Sequence, residues 1–112
     1  MRKIGGLQLF KADFFRALGN PLRIRILEEL GGEARSVNDL QRALDVPQPV
    51  VSQHLAILRA HHLVAAEKRG TSAMYAIRDP LVLDLLALAK RIFQNRLADT
   101  STLLRQLNRT AP

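Results

Sequence analysis

Cysteine is absent from this 112-residue chain. That excludes disulfides, thiolate metal sites and thiol redox switches, and it is compatible with a reducing cytoplasm. Equally missing is any run approaching the roughly 20 apolar residues that span a bilayer. At the start, Met1-Arg2-Lys3-Ile4 leads into Gly5-Gly6 rather than into the apolar segment of a signal peptide. The expectation is a cytoplasmic protein with no membrane partner. There is no Gly-rich phosphate loop, no nucleophile elbow and no His-plus-carboxylate cluster at ligand spacing, so neither catalysis nor a cofactor is expected. Internal repeats and low-complexity segments are lacking too. Acidic residues are in short supply, with 10 Asp and Glu against 17 Lys and Arg, a formal charge of +7. Such an excess favours a polyanionic partner, above all nucleic acid. The length suits one domain, residues 1–112, with one core.

What is present reads as a chain of short helices with a small hairpin. After a flexible arm over 1–6, Leu7, Phe10, Phe14 and Leu18 recur at helical spacing, and Gly19 ends that first helix. Asn20-Pro21 is a strong start, Asn as cap and Pro in the first turn, for a second helix running through Leu22, Ile26, Leu27 and Leu30 to Gly31-Gly32. Ser36-Val37-Asn38-Asp39 opens a third as a capping-box variant, with Asp in place of Glu or Gln, and Leu40, Ala43 and Leu44 face its core. The turn Asp45-Val46-Pro47 leads to a fourth helix with Gln48, which precedes Pro49, expected as its cap. Helices three and four thus form a helix-turn-helix. Leu63–Glu67 and Ala73–Ile77 then read as two strands around a basic turn, Lys68-Arg69-Gly70-Thr71-Ser72. Asp79-Pro80 starts a last helix from Leu81 to about Ala98. Residues 100–107 form a frayed continuation, and 108–112 a disordered tail.

The fourth helix carries the functional signal. At about 100° per residue, Val51, Leu55 and Leu58 share an apolar face, while Pro49, Gln53, Ala56 and Ala60 lie opposite, flanked by Ser52 and Val50. That outer face has no acidic group, whereas a merely solvated helix more often shows Glu and Lys. Gln53 can pair bidentately with an adenine edge, Ser52 can reach a base or a phosphate, and alanines let a helix sit close to a groove floor. The basic hairpin is suited to lying along a phosphate backbone, and Lys68 and Arg69 are assigned there with Thr71. The last helix bears two apolar stripes, Leu81/Leu85/Leu88/Ile92 and Val82/Leu86/Ala89/Phe93/Leu97. One stripe suffices to dock on the same domain, so the other is expected to meet a second copy of the chain.

The order of these elements resembles the ArsR/SmtB-type family of small dimeric winged-helix repressors. The resemblance is carried by Phe15 to Leu27, by Val51-Ser52-Gln53-His54-Leu55-Ala56-Ile57-Leu58-Arg59, and by Leu63-Val64 followed by Arg69-Gly70 and Tyr75, together spanning roughly residues 10–79. It implies a mainly α fold with a β-hairpin wing, dimerising through the first and last helices, and a homodimer bound to operator DNA that is often released by an effector, commonly a metal ion. The chain departs from the family at its metal sites. Ser36-Val37-Asn38 stands where many relatives place Cys-Val-Cys, which rules out thiophilic sensing there. The terminal-helix ligand pattern, begun at Asp84, meets Leu86, Leu97 and Thr100, and one carboxylate is no zinc site.

The histidines favour structural roles. His61 and His62 diverge by about 100° on a helix end and do not chelate as an i,i+4 pair would. They are expected to end the reading helix, His62 in the left-handed position that relatives usually give to Gly. His54, near the core edge, is expected to be half-buried and hydrogen-bonded rather than a base reader, although it stays within the DNA-facing set. Arg23 and Arg25 reach phosphates or solvate the surface, and Arg59 clamps phosphate or pairs with a carboxylate. The resulting DNA-binding set is Gln48, Pro49, Ser52, Gln53, His54, Arg59, Lys68, Arg69 and Thr71. The expected dimer interface comprises Phe10, Phe14, Leu81, Leu85, Leu88, Ile92 and Phe93. The function these readings favour is sequence-specific repression from a palindromic operator by a homodimer, its effector left open. The alternatives are a Zn, Ni or Co response through an unrecognised His/Asp site and a sequence-indifferent architectural DNA binder, which relies on dispersed basic residues and apolar wedges.

Overall fold

The computed structural model describes residues 4–110. Residues 1–3 of the expected arm and 111–112 of the expected tail lie outside them. The chain divides into two compact units, Met1–Pro80 and Leu81–Pro112.

The first unit holds four helices and a small sheet: α1 (Gly6–Leu18), α2 (Pro21–Glu29), β1 (Arg35–Ser36), α3 (Val37–Leu44), α4 (Gln48–Ala60), β2 (Val64–Arg69) and β3 (Ser72–Ile77). The expected caps determine where α2 and α3 begin. Asn20 accepts hydrogen bonds on Oδ1 from the amides of Leu22 and Arg23 at 2.9 and 3.1 Å, satisfying two of the donors that a helix start leaves free. In α3, the Asp39 amide donates to Ser36 Oγ at 3.1 Å and the Ser36 amide donates to Asp39 Oδ2 at 3.3 Å. Arg42 Nη2 adds a bond to Asp39 Oδ1 at 3.0 Å. These contacts, the Ser36 backbone bond foremost, hold the Asp39 carboxyl below its ordinary value of 3.8. Asp45 ends α3 in the left-handed region, φ 54°.

The core lies where α2, α3, α4 and the sheet meet. Ile26, Leu27, Leu40, Val51, Leu55 and Leu58 are fully buried, with Leu30, Leu44, Leu63 and Val64 beside them. Each such side chain contributes about 1.5–3 kcal/mol by leaving water. Because Val51, Leu55 and Leu58 all come from α4, their burial fixes which face of that helix turns outward. By contrast, most of α1 finds no cover. Only Ala17 and Leu18 are buried, while Leu7, Leu9, Phe10 and Phe15 are more than half exposed. Phe14 is half-buried, stacked on Phe10 with centroids 6.1 Å apart.

Several expectations need correction. Gln48 is not the cap of α4 but its first residue, and Pro47 precedes the helix without any side-chain cap bond. Pro49 falls within the first turn, where its missing N–H costs nothing. The hairpin is tighter than expected, for the strands run to Arg69 and resume at Ser72. Only Gly70 and Thr71 are left as the turn. Gly70 has φ 63° and Thr71 has no positive φ, the arrangement of a type II′ turn, which favours glycine in its first position. Two residues, Arg35 and Ser36, add an unforeseen third strand, giving the antiparallel order β1-β3-β2.

The second unit is the single helix α5, Leu81–Thr110, of 30 residues, about 45 Å long. It passes straight through the segments expected to fray after about Ala98 and to be disordered from 108, as far as residue 110. Leu81, Leu88, Ile92, Phe93, Leu97, Leu103, Leu104 and Leu107 are each at least half exposed along it, and Leu85 is half-buried.

Candidate nucleic-acid interface

With its apolar face sunk in the core, α4 turns Pro49, Ser52, Gln53, Ala56, Arg59 and Ala60 to solvent. Ser52 and Gln53 make no side-chain hydrogen bond among the described residues, and Arg59 has no ion pair among them. The bland alternative for Arg59, pairing with a carboxylate, is thus not realised within the described chain.

His54 points elsewhere. It is half-buried, and its Nδ1 lies 3.3 Å from Arg23 Nη1. A guanidinium only donates, so Nδ1 is the acceptor in this pair. Arg23 also donates from Nε to Ala17 O at 2.6 Å and from Nη2 to Arg16 O at 3.3 Å, satisfying carbonyls at the end of α1. His54 and Arg23 therefore join α1 to α4, which leaves the proton of a neutral His54 ring on Nε2. Arg25 is exposed.

The end of α4 is as the residue types foretell. His61 caps the helix, with Nδ1 2.9 Å from Ile57 O and Nε2 3.3 Å from Asp13 Oδ2 on α1. His62 adopts the left-handed conformation at φ 59°. Among the described residues no three of His, Cys, Asp and Glu come together as a metal site.

The wing register sorts the basic residues by face. Ala66 pairs with Tyr75, Glu67 with Met74, Lys68 with Ala73 and Arg69 with Ser72. Successive residues alternate faces, so Lys68 shares the face of Tyr75, while Arg69 shares the other with Glu67. Arg69 Nη2 stands 3.7 Å from Glu67 Oε2, both well exposed. Lys68 has no ion pair among the described residues. Thr71 is exposed at the turn. Gln48, exposed at the start of α4, lines a shallow groove with Ser36, Asn38 and Ser72.

One participant was not singled out for the site. Tyr75 lines a groove of about 440 Å³ with Ser52, Leu55, Ala56, Arg59 and Ala60, joining the wing to the outer side of α4. The signal available in the sequence was its place in the alternation of β3, but the face toward α4 depends on the hairpin register.

A helix-turn-helix whose second helix is open along one polar, acid-free face, followed by a two-stranded basic hairpin, defines a winged helix-turn-helix DNA-binding protein. Comparison with known proteins agrees: a helix-turn-helix domain model matches residues 18–66. The HTH-type transcriptional regulator Rv0081 of Mycobacterium tuberculosis is 37% identical over 102 residues, 90% of each chain. Its crystal structure superposes with a TM-score of 0.78 over 87% of this chain and 98% of that one. The HTH-type transcriptional repressor SmtB of the same organism is 43% identical over 79 residues, 67% of this chain and 58% of SmtB. The homodimeric winged helix-turn-helix DNA-binding domain of Mb0332 from Mycobacterium bovis is 28% identical, with a TM-score of 0.74 over 87% of this chain and 94% of that one. The chain belongs to the ArsR/SmtB-type family of winged helix-turn-helix transcriptional regulators, a family of regulators rather than enzymes. Among the described residues no helix is long and apolar enough to cross a membrane.

Proposed function

We propose that this protein is a cytoplasmic, homodimeric transcriptional repressor that reads an imperfectly palindromic operator, one α4 helix in each of two major grooves about one helical turn apart. The observation that carries this reading is the outer face of α4, where Ser52 and Gln53 have no side-chain hydrogen bond and Arg59 no ion pair among the described residues, on a helix without acidic groups, with Lys68 on the Tyr75 face of the wing. Pro49, Gln48 and Thr71 border this surface, and Arg69 adds a charge partly offset by Glu67. Dimerisation is supported by the apolar side chains left open on α1 and α5, Phe10 at 65% and Ile92 at 62% exposure among them. Phe14, Leu81, Leu85, Leu88 and Phe93 belong to the same proposed interface.

A free Gln and Ser on a reading helix favour sequence readout over architectural binding, which needs wedges and dispersed charge. The effector, small molecule or ion, is left unassigned, and the absence of cysteine argues against a thiophilic one. Selection of duplexes from a random pool, followed by gel shift against random competitor DNA, tests the proposal. A two-fold symmetric winner that resists the competitor supports it, and equal binding of all duplexes refutes it in favour of architectural binding.

A further inference from the structure

The proposed function leaves the Tyr75 hydroxyl without a task. The ring is half-buried, yet the hydroxyl makes no hydrogen bond among the described residues. No buried polar side-chain atom among them lacks a partner, so this hydroxyl opens onto the surface. The groove it borders has two kinds of lining. Leu55, Ala56 and Ala60 supply an apolar floor of mostly small side chains, and Ser52, Arg59 and Tyr75 supply the polar groups. Acidic residues are absent from that lining, and Arg59 has no ion pair among the described residues. Lys68, on the Tyr75 face of the hairpin, carries positive charge on toward the wing tip.

A cation and two hydroxyls over a small apolar floor match the chemistry of a sugar-phosphate unit. The phosphate oxygens accept charge-assisted hydrogen bonds from the guanidinium and the phenol, and the C–H face of the deoxyribose lies on the alanines. Contacts to phosphate and sugar, from Tyr and Ser as well as Arg, set the register of a protein on DNA without reading its sequence. We propose that Arg59 and Tyr75, with Ser52 at the rim, clamp one DNA phosphate per half-site between α4 and the wing, and so set the angle at which α4 enters the groove. This clamp rests on the DNA-binding reading above and gives Tyr75 a positioning role within it.

The test uses the full chain and a duplex that it selects, or a fixed random duplex should selection yield no winner, with phosphates replaced one at a time by neutral methylphosphonates. In each half-site, one replacement is expected to weaken the unmutated protein by about 10-fold, to leave Arg59→Ala nearly unaffected, and to weaken Tyr75→Phe by less than the unmutated protein, since its Arg59 still meets the phosphate. On the unmodified duplex Tyr75→Phe, which keeps the ring, should lose about 3- to 10-fold per half-site, equally for all single-base variants. Its salt dependence should stay unchanged, whereas Arg59→Ala should show a shallower one. Binding by both variants as tight as that of the unmutated protein overturns the clamp, and would leave the groove to a small anionic effector. A Tyr75→Phe change in base preference also overturns it, because the hydroxyl would then read a base edge. Both results retain DNA binding and so spare the broader reading, whereas failure of the unmutated protein to bind any duplex refutes clamp and reading together.

Discussion

Lys68→Ala and Gln53→Ala should separate holding the DNA from reading it. Lys68 lies on the Tyr75 face of the wing without an ion pair among the described residues, while Arg69 faces the other way with Glu67 3.7 Å from it. A lysine that neutralises one phosphate contributes about 0.9 to the slope of log affinity against log salt. Its removal from both subunits of a dimer should therefore flatten the slope by about 1.8, and between roughly 50 and 200 mM salt the advantage of the unmutated protein should shrink by about 12-fold. Arg69→Ala should flatten it less, since Glu67 already offsets part of that charge. Gln53→Ala removes no charge and should leave the slope alone. It should instead cost about 1–3 kcal/mol per half-site on the selected operator and relax the preference at one base position in each half. Fluorescence anisotropy over a salt series, then over single-base operator variants, measures both effects. If Gln53→Ala weakens every variant equally while Lys68→Ala shifts base preference, the wing reads the sequence and the assignment of α4 is wrong.

Leu88→Asp, which places a charge on the apolar side of α5 at a position 50% exposed in the chain alone, should yield monomers that no longer bind the operator; light scattering checks this, and a dimer that persists refutes the proposed interface. His62→Gly should stabilise the protein by about 0.5–1 kcal/mol, because a non-glycine residue in the left-handed region costs about 1–2 kcal/mol and the added backbone freedom of glycine returns part of it. A lower denaturation midpoint for this variant would contradict that. The Asp39 carboxyl, held below 3.8 mainly by the Ser36 backbone bond, contributes stability that is complete above its unfolded value and is lost as pH falls through 3.8 toward the lower folded value. Asp39→Asn should therefore flatten the acid limb of a stability-against-pH curve over that interval and leave its shape near neutrality unchanged.

Features decided within a turn or two of chain were legible in the residues themselves. Asn20-Pro21 and the Ser36–Asp39 box start helices where expected because a cap needs only its own neighbours, and His62 takes the left-handed position for the same reason. The outward face of α4 was equally readable, since the 3.6-residue period places Val51, Leu55 and Leu58 together. Features decided by distant partners were not. Arg35 and Ser36 carry no strand pattern and become one only by pairing with Tyr75 and Met74. Arg23 was left between phosphate contact and solvation, but its bonds run to Ala17, Arg16 and His54, which no local periodicity reveals. The sorting of Lys68 from Arg69 and the placing of Tyr75 beside Arg59 both required the hairpin register, and that followed from a turn two residues long rather than five.

The alanines on the outer side of α4 also bear on how much information an operator can hold. Ala56 and Ala60 let the helix approach, but their side chains offer no donor or acceptor, which leaves Ser52 and Gln53 in the middle of that surface as hydrogen-bonding side chains without a partner among the described residues. A half-site fixed at only three base pairs recurs by chance about once in 64 positions of random sequence, and a symmetric pair at fixed spacing about once in 4,000. Even the doubled site is common on the scale of a genome of millions of base pairs. A repressor built this way spends much of its time on chance matches, so the number of molecules per cell, as much as the affinity for any one operator, determines whether a given promoter is silent.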